Sequence, residues 1–267
     1  MGNTYLEYIH PLKAAAVTAL TRASPGVITI PAGHSGRLKR IMTTVWPTLE
    51  TVVDAGGLVE IENDAVKGTQ ISYVTPNLTA VTAGGGDILT YVINCDIPLI
   101  GPSTYTVWYT PYDNQSQSLS VNLEWETGGR TDVGRPNFIK ASCPLKTAAV
   151  TALTVAEAHN TIAIPSGKGG RLLRVEFSPY GTGETVVNSG GACELISSVD
   201  DWKPFRFIVP GATVVGAAGG GYITNKAFDV NKAISGNASI TNNLTPYDDQ
   251  SQTMGLTLFW RSIKDPE

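Results

Sequence analysis

The chain contains most of its own sequence twice. The segment PLKAAAVTALT at residues 11–21 returns as PLKTAAVTALT at 144–154, with ten of eleven positions identical. The string TPYDNQSQ at 110–117 returns as TPYDDQSQ at 245–252, and the offset between matched segments stays between 133 and 135 residues. This period is far longer than the roughly 20 to 50 residues of solenoid repeats. It predicts two copies of one whole domain.

The repeat sets the expected domain boundaries. We expect a first domain at residues 1–127, a linker at 128–143 and a second domain at 144–267. The stretch GGRTDVGRPNFIKAS, which fills most of the predicted linker, is rich in glycine and polar residues, as linkers commonly are.

Strand signals dominate each copy, and helix signals are nearly absent. Alternation is clearest in SLSVNLEW and in its counterpart TMGLTLFW, because every second residue there is apolar and lies on one face of a strand. These apolar positions are Leu119, Val121, Leu123 and Trp125 in the first copy, and Met254, Leu256, Leu258 and Trp260 in the second. About eight short strands per copy, separated by turn residues, indicate a sandwich or a barrel. We predict an all-β chain of two tandem eight-stranded jelly rolls; the alternative is an immunoglobulin-like sandwich, which the eighth strand and the lack of a Cys…Trp…Cys core disfavour.

The duplicated polar string lies just before the last strand of each copy. Proline sets φ near −65° and aspartate can cap its own backbone, so TPYD is predicted to form a turn. Its other possible role is a polar contact surface in assembly. Arginine also recurs in SGRLKR and GGRLLR, where it is available for ion pairs between domains or subunits. The candidate assembly contacts are therefore Arg37, Arg40, Arg171, Arg174, Tyr112, Asp113, Tyr247 and Asp248.

Composition and charge argue against several classes of protein. The net charge is −4 and no run of basic residues exceeds RLKR, so direct nucleic-acid binding is not expected. No segment approaches about 18 consecutive apolar residues, so we expect no transmembrane segment. The first residues, MGNTYLEYIHPLK, lack the basic start and apolar stretch of a secretory signal.

Residues that could carry chemistry are few. The three histidines have no counterpart in the other copy, and neither they nor the three cysteines show metal-ligand spacing. A pair of carboxylates could serve glycoside hydrolysis, but an enzyme rarely keeps two intact copies of its site. We therefore expect no enzyme activity, no cofactor and no metal. The carboxylates shared by both copies are Glu50 and Glu184, Glu60 and Glu194, and Asp113 and Asp248.

The pattern resembles the double jelly-roll major capsid proteins of tailless icosahedral double-stranded DNA viruses. The resemblance rests on the two tandem eight-strand domains, the short linker and the alternating closing strands that end in Trp125 and Trp260. It implies a virion structural protein, made in the host cytoplasm and located in the capsid. It also implies homotrimers whose six jelly rolls form a pseudo-hexagonal capsomer within a capsid lattice, with other capsid proteins as possible partners.

The chain departs from that family in two respects. We expect domains without room for the long tower loops of many members, and we expect no membrane-directed terminal helix. These departures leave open a minor capsid, turret or decoration protein. A cell-surface or carbohydrate-binding β-sandwich module is the alternative from another class.

Overall fold

Every regular element of the part of the chain that the structure describes is a β-strand. The structure is a computed structural model, and it describes residues 4–14, 21–22, 25–47, 57–64, 71–75, 89–111, 117–127, 137–142, 160–181, 191–200, 202, 205–209, 225–247 and 252–262. Within these ranges there is no helix long and apolar enough to cross a membrane.

Sixteen strands follow one another in the described part of the chain. The first eight are β1 (Thr4–Ala14), β2 (Gly26–Ile30), β3 (Gly36–Pro47), β4 (Gly57–Asn63), β5 (Ile71–Thr75), β6 (Leu89–Leu99), β7 (Ser103–Pro111) and β8 (Gln117–Thr127). The second eight are β9 (Asn137–Ser142), β10 (Asn160–Ala163), β11 (Gly170–Gly181), β12 (Gly191–Ser197), β13 (Phe205–Val209), β14 (Lys226–Ile234), β15 (Ser239–Pro246) and β16 (Gln252–Ser262).

The strands form two jelly rolls with the same topology. The first roll has sheets in the orders β1-β8-β3-β6 and β2-β7-β4-β5, and the second has β9-β16-β11-β14 and β10-β15-β12-β13. Each strand of the first roll therefore corresponds to the strand of the second roll whose number is higher by eight. Two four-stranded antiparallel sheets with this long-range pairing define a jelly roll. The predicted fold is therefore confirmed, and the immunoglobulin-like alternative is wrong.

The two rolls also agree residue by residue. Trp125 of β8 lies opposite Leu38 of β3, and Trp260 of β16 lies opposite Leu172 of β11. A shift in the pairing register, as a β-bulge produces, follows each of these leucines. Both tryptophans are fully buried. The two closing strands thus occupy equivalent positions, as the sequence repeat predicts.

The alternating residues of the closing strands form the centre of each core. In β8, Leu119, Val121 and Leu123 are buried, and in β16 so are Leu256 and Leu258. The side chain of Met254, the one remaining residue of the eight predicted inward-facing positions, lies outside the described residues. The predicted inward face is thus confirmed wherever the structure describes it, because side chains alternate between the two faces of a strand.

Strand β9 corrects the predicted linker. It lies within residues 128–143 and pairs with β16 from Asn137 to Ser142, so it is an edge strand of the second roll. Its counterpart is β1, which begins 133 residues earlier, at Thr4. The repeat does not show this boundary because TYLEYI and NFIKAS, the first six residues of the two strands, are identical at no position.

Candidate functional site at the junction of the two rolls

The second roll presents polar residues to the first. In the sheet β9-β16-β11-β14, one face carries Leu256, Leu258 and Trp260 into the core of the second roll. The opposite face would be open to water in an isolated roll. Yet three of its polar side chains are almost completely buried, namely Glu176, Ser178 and Thr257. The contacts that bury this face come from strands β5 and β6 of the first roll.

Hydrogen bonds from the second roll satisfy the open edge of β5. The Val74 N–H donates to Thr257 Oγ1 over 3.4 Å, and the Val74 carbonyl accepts from Asn225 Nδ2 over 3.2 Å. The Ala141 N–H of β9 donates to Ser72 Oγ over 2.9 Å. An edge strand otherwise leaves such backbone groups unpaired. Side chains here replace the missing neighbouring strand.

Close approach at this edge depends on a glycine. A Cβ at Gly255 would lie 3.0 Å from Cγ2 of Val74 and 3.3 Å from Cβ of Ser178. Val74 itself is 0% exposed. The absence of a side chain at position 255 therefore allows β16 to pack closely on β5.

A buried carboxylate joins the two rolls beside that edge. Glu176 of β11 is 1% exposed, and its Oε1 forms an ion pair with Arg174 Nη2 at 2.5 Å. The Tyr91 hydroxyl of β6 donates a short hydrogen bond to Glu176 Oε2. Burial, followed by the negative charge of Glu176, raises the pKa of Tyr91 far above its usual range. The phenol therefore remains a donor at every physiological pH, and the carboxylate has a partner for each oxygen.

A cavity of about 280 Å³ lies next to this carboxylate. Strand β6 contributes Asn94 and Cys95 to its wall, and the second roll contributes Arg174, Asp229 and Phe259. Arg174 and Asp229 are direct Cα partners in the β11–β14 ladder, and the ion pair at the cavity wall is that of Arg174 with Glu176. The cavity can hold a small polar ligand or a water molecule next to a charged pair.

The described residues give little support for a reactive cysteine or for a metal site. Burial raises the pKa of Cys95 to about 12, so its thiol stays protonated and is a poor nucleophile. No group of three or more histidine, cysteine, aspartate and glutamate side chains that could hold a metal ion occurs within the described ranges.

Two of the predicted contact arginines form ion pairs within the first roll. Arg37 is buried, and it donates from Nε to Asp96 Oδ1 over 2.9 Å and from Nη2 to the Asp96 carbonyl over 2.6 Å. The hydrogen bond from Arg37, opposed by partial burial and aided by Lys39, holds the pKa of Asp96 below its usual range. Arg40 pairs with Glu124 at 3.2 Å.

Two of the remaining predicted contacts, Arg171 and Arg174, belong to β11 of the second roll. Arg171 donates to Asn231 Oδ1 over 2.6 Å, within its own roll. Arg174 is the one of the four arginines that lies at the junction described above. Tyr247 is 44% exposed. Tyr112, Asp113 and Asp248 lie outside the described residues, and contact between any of these eight residues and another subunit stays a prediction.

Sequence reasoning missed the junction residues for an identifiable reason. It looked for groups that both copies share, whereas the register sets Glu176 against Met42 and Tyr91 against Lys226 as equivalent positions. A contact that exists once per chain has no reason to be duplicated. The sequence signal that could have identified these residues is a polar or aromatic residue at a position where the two copies differ.

The sequence matches no protein-family model and no curated protein. The fold is similar to that of solved structures. N-glycanase F (PNGase F) is 10% identical with a TM-score of 0.54, and the match covers 97% of this chain and 96% of that one. A peptide-N(4)-(N-acetyl-β-D-glucosaminyl) asparagine amidase is 11% identical with a TM-score of 0.52, over 99% and 97%. The major capsid protein P2 from bacteriophage PM2 is 9% identical over 98% and 100%, but its TM-score of 0.41 is too low to support an argument.

These similarities contradict the prediction that the chain is not an enzyme. An amidase has this fold over nearly the full length of both chains. The prediction failed because it assumed that an active site would be duplicated with the domain. Two jelly rolls on one chain form a single junction, so a site at that junction occurs once. Identities of 10% and 11% show the fold alone.

Proposed function

We propose that the protein is a virion structural protein, a double jelly-roll capsid protein whose trimers form pseudo-hexagonal capsomers. In this proposal it is made in the host cytoplasm and located in the capsid. Its partners are other copies of itself in a lattice, and other capsid proteins adjoin them. Minor capsid, turret or decoration roles are variants of the same proposal.

The proposal depends above all on a polar string that both rolls keep. A core needs only apolar residues of suitable volume, and a TPYD turn needs only its proline and aspartate. Yet the tyrosine and the Gln–Ser–Gln segment are also identical in both copies, and Tyr247 is 44% exposed. Two equal external contacts per chain account for this identity. Three such chains can close a ring with six similar sectors and satisfy every interface.

The test is the assembly state of the purified protein. We expect sedimentation as a trimer or larger at micromolar concentration, and a ring of six lobes in negative-stain images. Only 16% of residues are charged, so assembly should persist at high salt. A monomer at both low and high salt would overturn the proposal.

A double substitution tests the duplicated string itself. Tyr112→Ala with Tyr247→Ala should weaken assembly at least about tenfold, as the loss of aromatic contacts from an interface commonly does. Ser166→Ala, at an exposed turn position that is not part of the string, should leave assembly unchanged. Unchanged assembly in the double variant would show that the string serves only as a turn.

The cavity at the junction supports a second candidate function. We propose as this alternative the hydrolysis of an amide on a glycosylated asparagine, the bond that the name of the amidase specifies. Asp229 would take a proton from an attacking water, and Arg174 would face the oxygen of the tetrahedral intermediate. Asp229 would then return the proton to the leaving nitrogen. The ladder pairing of these two residues at the cavity is the observation in its favour.

An N-glycopeptide assay decides this second candidate. Mass spectrometry should detect aspartate in place of the glycosylated asparagine after incubation with the protein. Asp229→Asn should abolish the conversion, and Lys226→Ala, on the same strand but not in the cavity wall, should not. No conversion by the unaltered protein would overturn this candidate and leave the capsid proposal standing.

A further inference from the structure

The contact between the two rolls joins two different surfaces. The first roll contributes the open edge made by β5, and the second contributes the outer face of the sheet that contains β16. Because the rolls are equivalent, the chain also carries one more edge of the first kind and one more face of the second kind. A contact of this head-to-tail type can repeat from chain to chain until a ring closes.

Strand β13 is the second edge. Ile71 pairs with Ile61 in the first roll, as Phe205 pairs with Leu195 in the second. Counting along the strands from these pairs makes Ile208 the counterpart of Val74. Val74 is 0% exposed under the second roll, whereas Ile208 is 66% exposed. An exposed apolar side chain on an edge strand marks a surface on which another chain can pack.

The second face belongs to β8 and β3. The matched positions of Trp125 and Trp260 make Asn122 the counterpart of Thr257, which accepts the Val74 N–H. The side-chain carbonyl oxygen of Asn122 can accept a hydrogen bond at the equivalent position. Thr44 is likewise the counterpart of the buried Ser178. Ser120 stands where Gly255 allows close approach, so a second contact would be similar but not identical to the first.

We propose that the β13 edge around Ile208 binds the outer face around Asn122 and Thr44 of a second copy of this chain, and so repeats between chains the contact found within one. The occupant is a second copy because the surface that covers the equivalent edge is already part of the chain. This inference rests on the proposed self-association and names the surfaces that carry it.

A charge on the edge tests the proposal. Ile208→Asp places a carboxylate where the interface excludes water, so we expect association at least about tenfold weaker than in the unaltered protein. Val199→Asp is the matched control, because Val199 is 61% exposed and lies outside β13. It should assemble normally. Far-UV circular dichroism should show the unaltered fold in both variants, because neither side chain is buried within its own chain.

Crosslinking gives a readout that does not depend on that variant. Ile208→Cys with Asn122→Cys should form a disulfide between chains under mild oxidation, identified by mass spectrometry of the linked peptides. Ile208→Cys with Thr161→Cys should not. If the unaltered protein assembles but Ile208→Asp assembles equally well and no disulfide forms between positions 122 and 208, this interface is wrong and the capsid proposal survives. If the unaltered protein is monomeric, both fail.

Discussion

Glu176 is held at the junction by donors from both sides. It takes a guanidinium from its own strand and a phenol from the other roll, and it is almost fully buried. A buried charge is stable only when such partners are present, and removal of one partner is costly. The hydrogen bond from Tyr91 to Oε2 therefore connects the first roll to a carboxylate that Arg174 holds in the second.

We predict that Tyr91→Phe destabilises the protein by about 1–3 kcal/mol, because it leaves Glu176 Oε2 buried without its donor. Denaturant unfolding followed by tryptophan fluorescence gives the free energy. The matched control is Tyr247→Phe, at an exposed tyrosine, which should change stability by less than about 0.5 kcal/mol. Equal stability of the two variants would contradict the role given to this bond.

Asp96 gives a prediction about pH. Its pKa is depressed in the folded protein by Arg37 and Lys39, so its contribution to stability is present above the unfolded pKa, which is about 3.9. That contribution is lost as the pH falls through the folded pKa. Asp96→Asn should therefore be less stable than the unaltered protein at neutral pH, and the gap should stay constant down to about pH 5. Below about pH 4 it should narrow, as thermal melts across the range would show. A gap that widens with acid would disprove this assignment.

At the scale of the element, the closing strands β8 and β16 organise the sheet and the core of their rolls. Each lies in the middle of its sheet, between two neighbours, and carries a tryptophan and two or more aliphatic residues into the core. A shift of the register by one residue would turn all of these side chains outward. The burial of these side chains therefore specifies the register strongly.

We predict that Leu123→Ala and Leu258→Ala each cost about 2–5 kcal/mol of unfolding free energy, because both side chains are fully buried. The matched control is Ser120→Ala on the other face of β8. Differential scanning calorimetry should show a clear loss for the two leucine variants only. Unchanged melting of either leucine variant would mean that its strand has another register.

These elements also show how much the sequence could predict. Alternation places Leu123 and Leu258 in the core, and the repeat makes Trp125 and Trp260 equivalent, because both patterns reflect local geometry. The start of β9 and the burial of Glu176 depend instead on tertiary contacts, namely pairing with β16 and coverage by the first roll. Neither feature produces a periodic pattern in the sequence.

At the scale of the whole molecule, the two rolls pack as one body through β5 and β16. We predict that Gly255→Val destabilises the protein by about 1–3 kcal/mol, because the new side chain must displace Val74. Calorimetry should show the loss, and a single transition should separate into two if the junction opens. The matched control is Ala163→Val at an exposed position of β10, which should keep one transition. A Gly255→Val variant as stable as the control would mean that the rolls do not approach closely at this point.

The hydrogen-bonded edge at Val74 has a further consequence in terms of effective concentration. Its binding partner is on the same chain, so a short tether holds the partner at an effective concentration of about millimolar, however dilute the protein is. This contact can therefore form even if it is weak, and it can include a desolvated carboxylate. The equivalent edge at Ile208 has no tether and must compete with dilution. Selection on the two edges should consequently differ. The tethered edge can use polar residues, which mainly set orientation. The free edge needs apolar residues, which raise affinity.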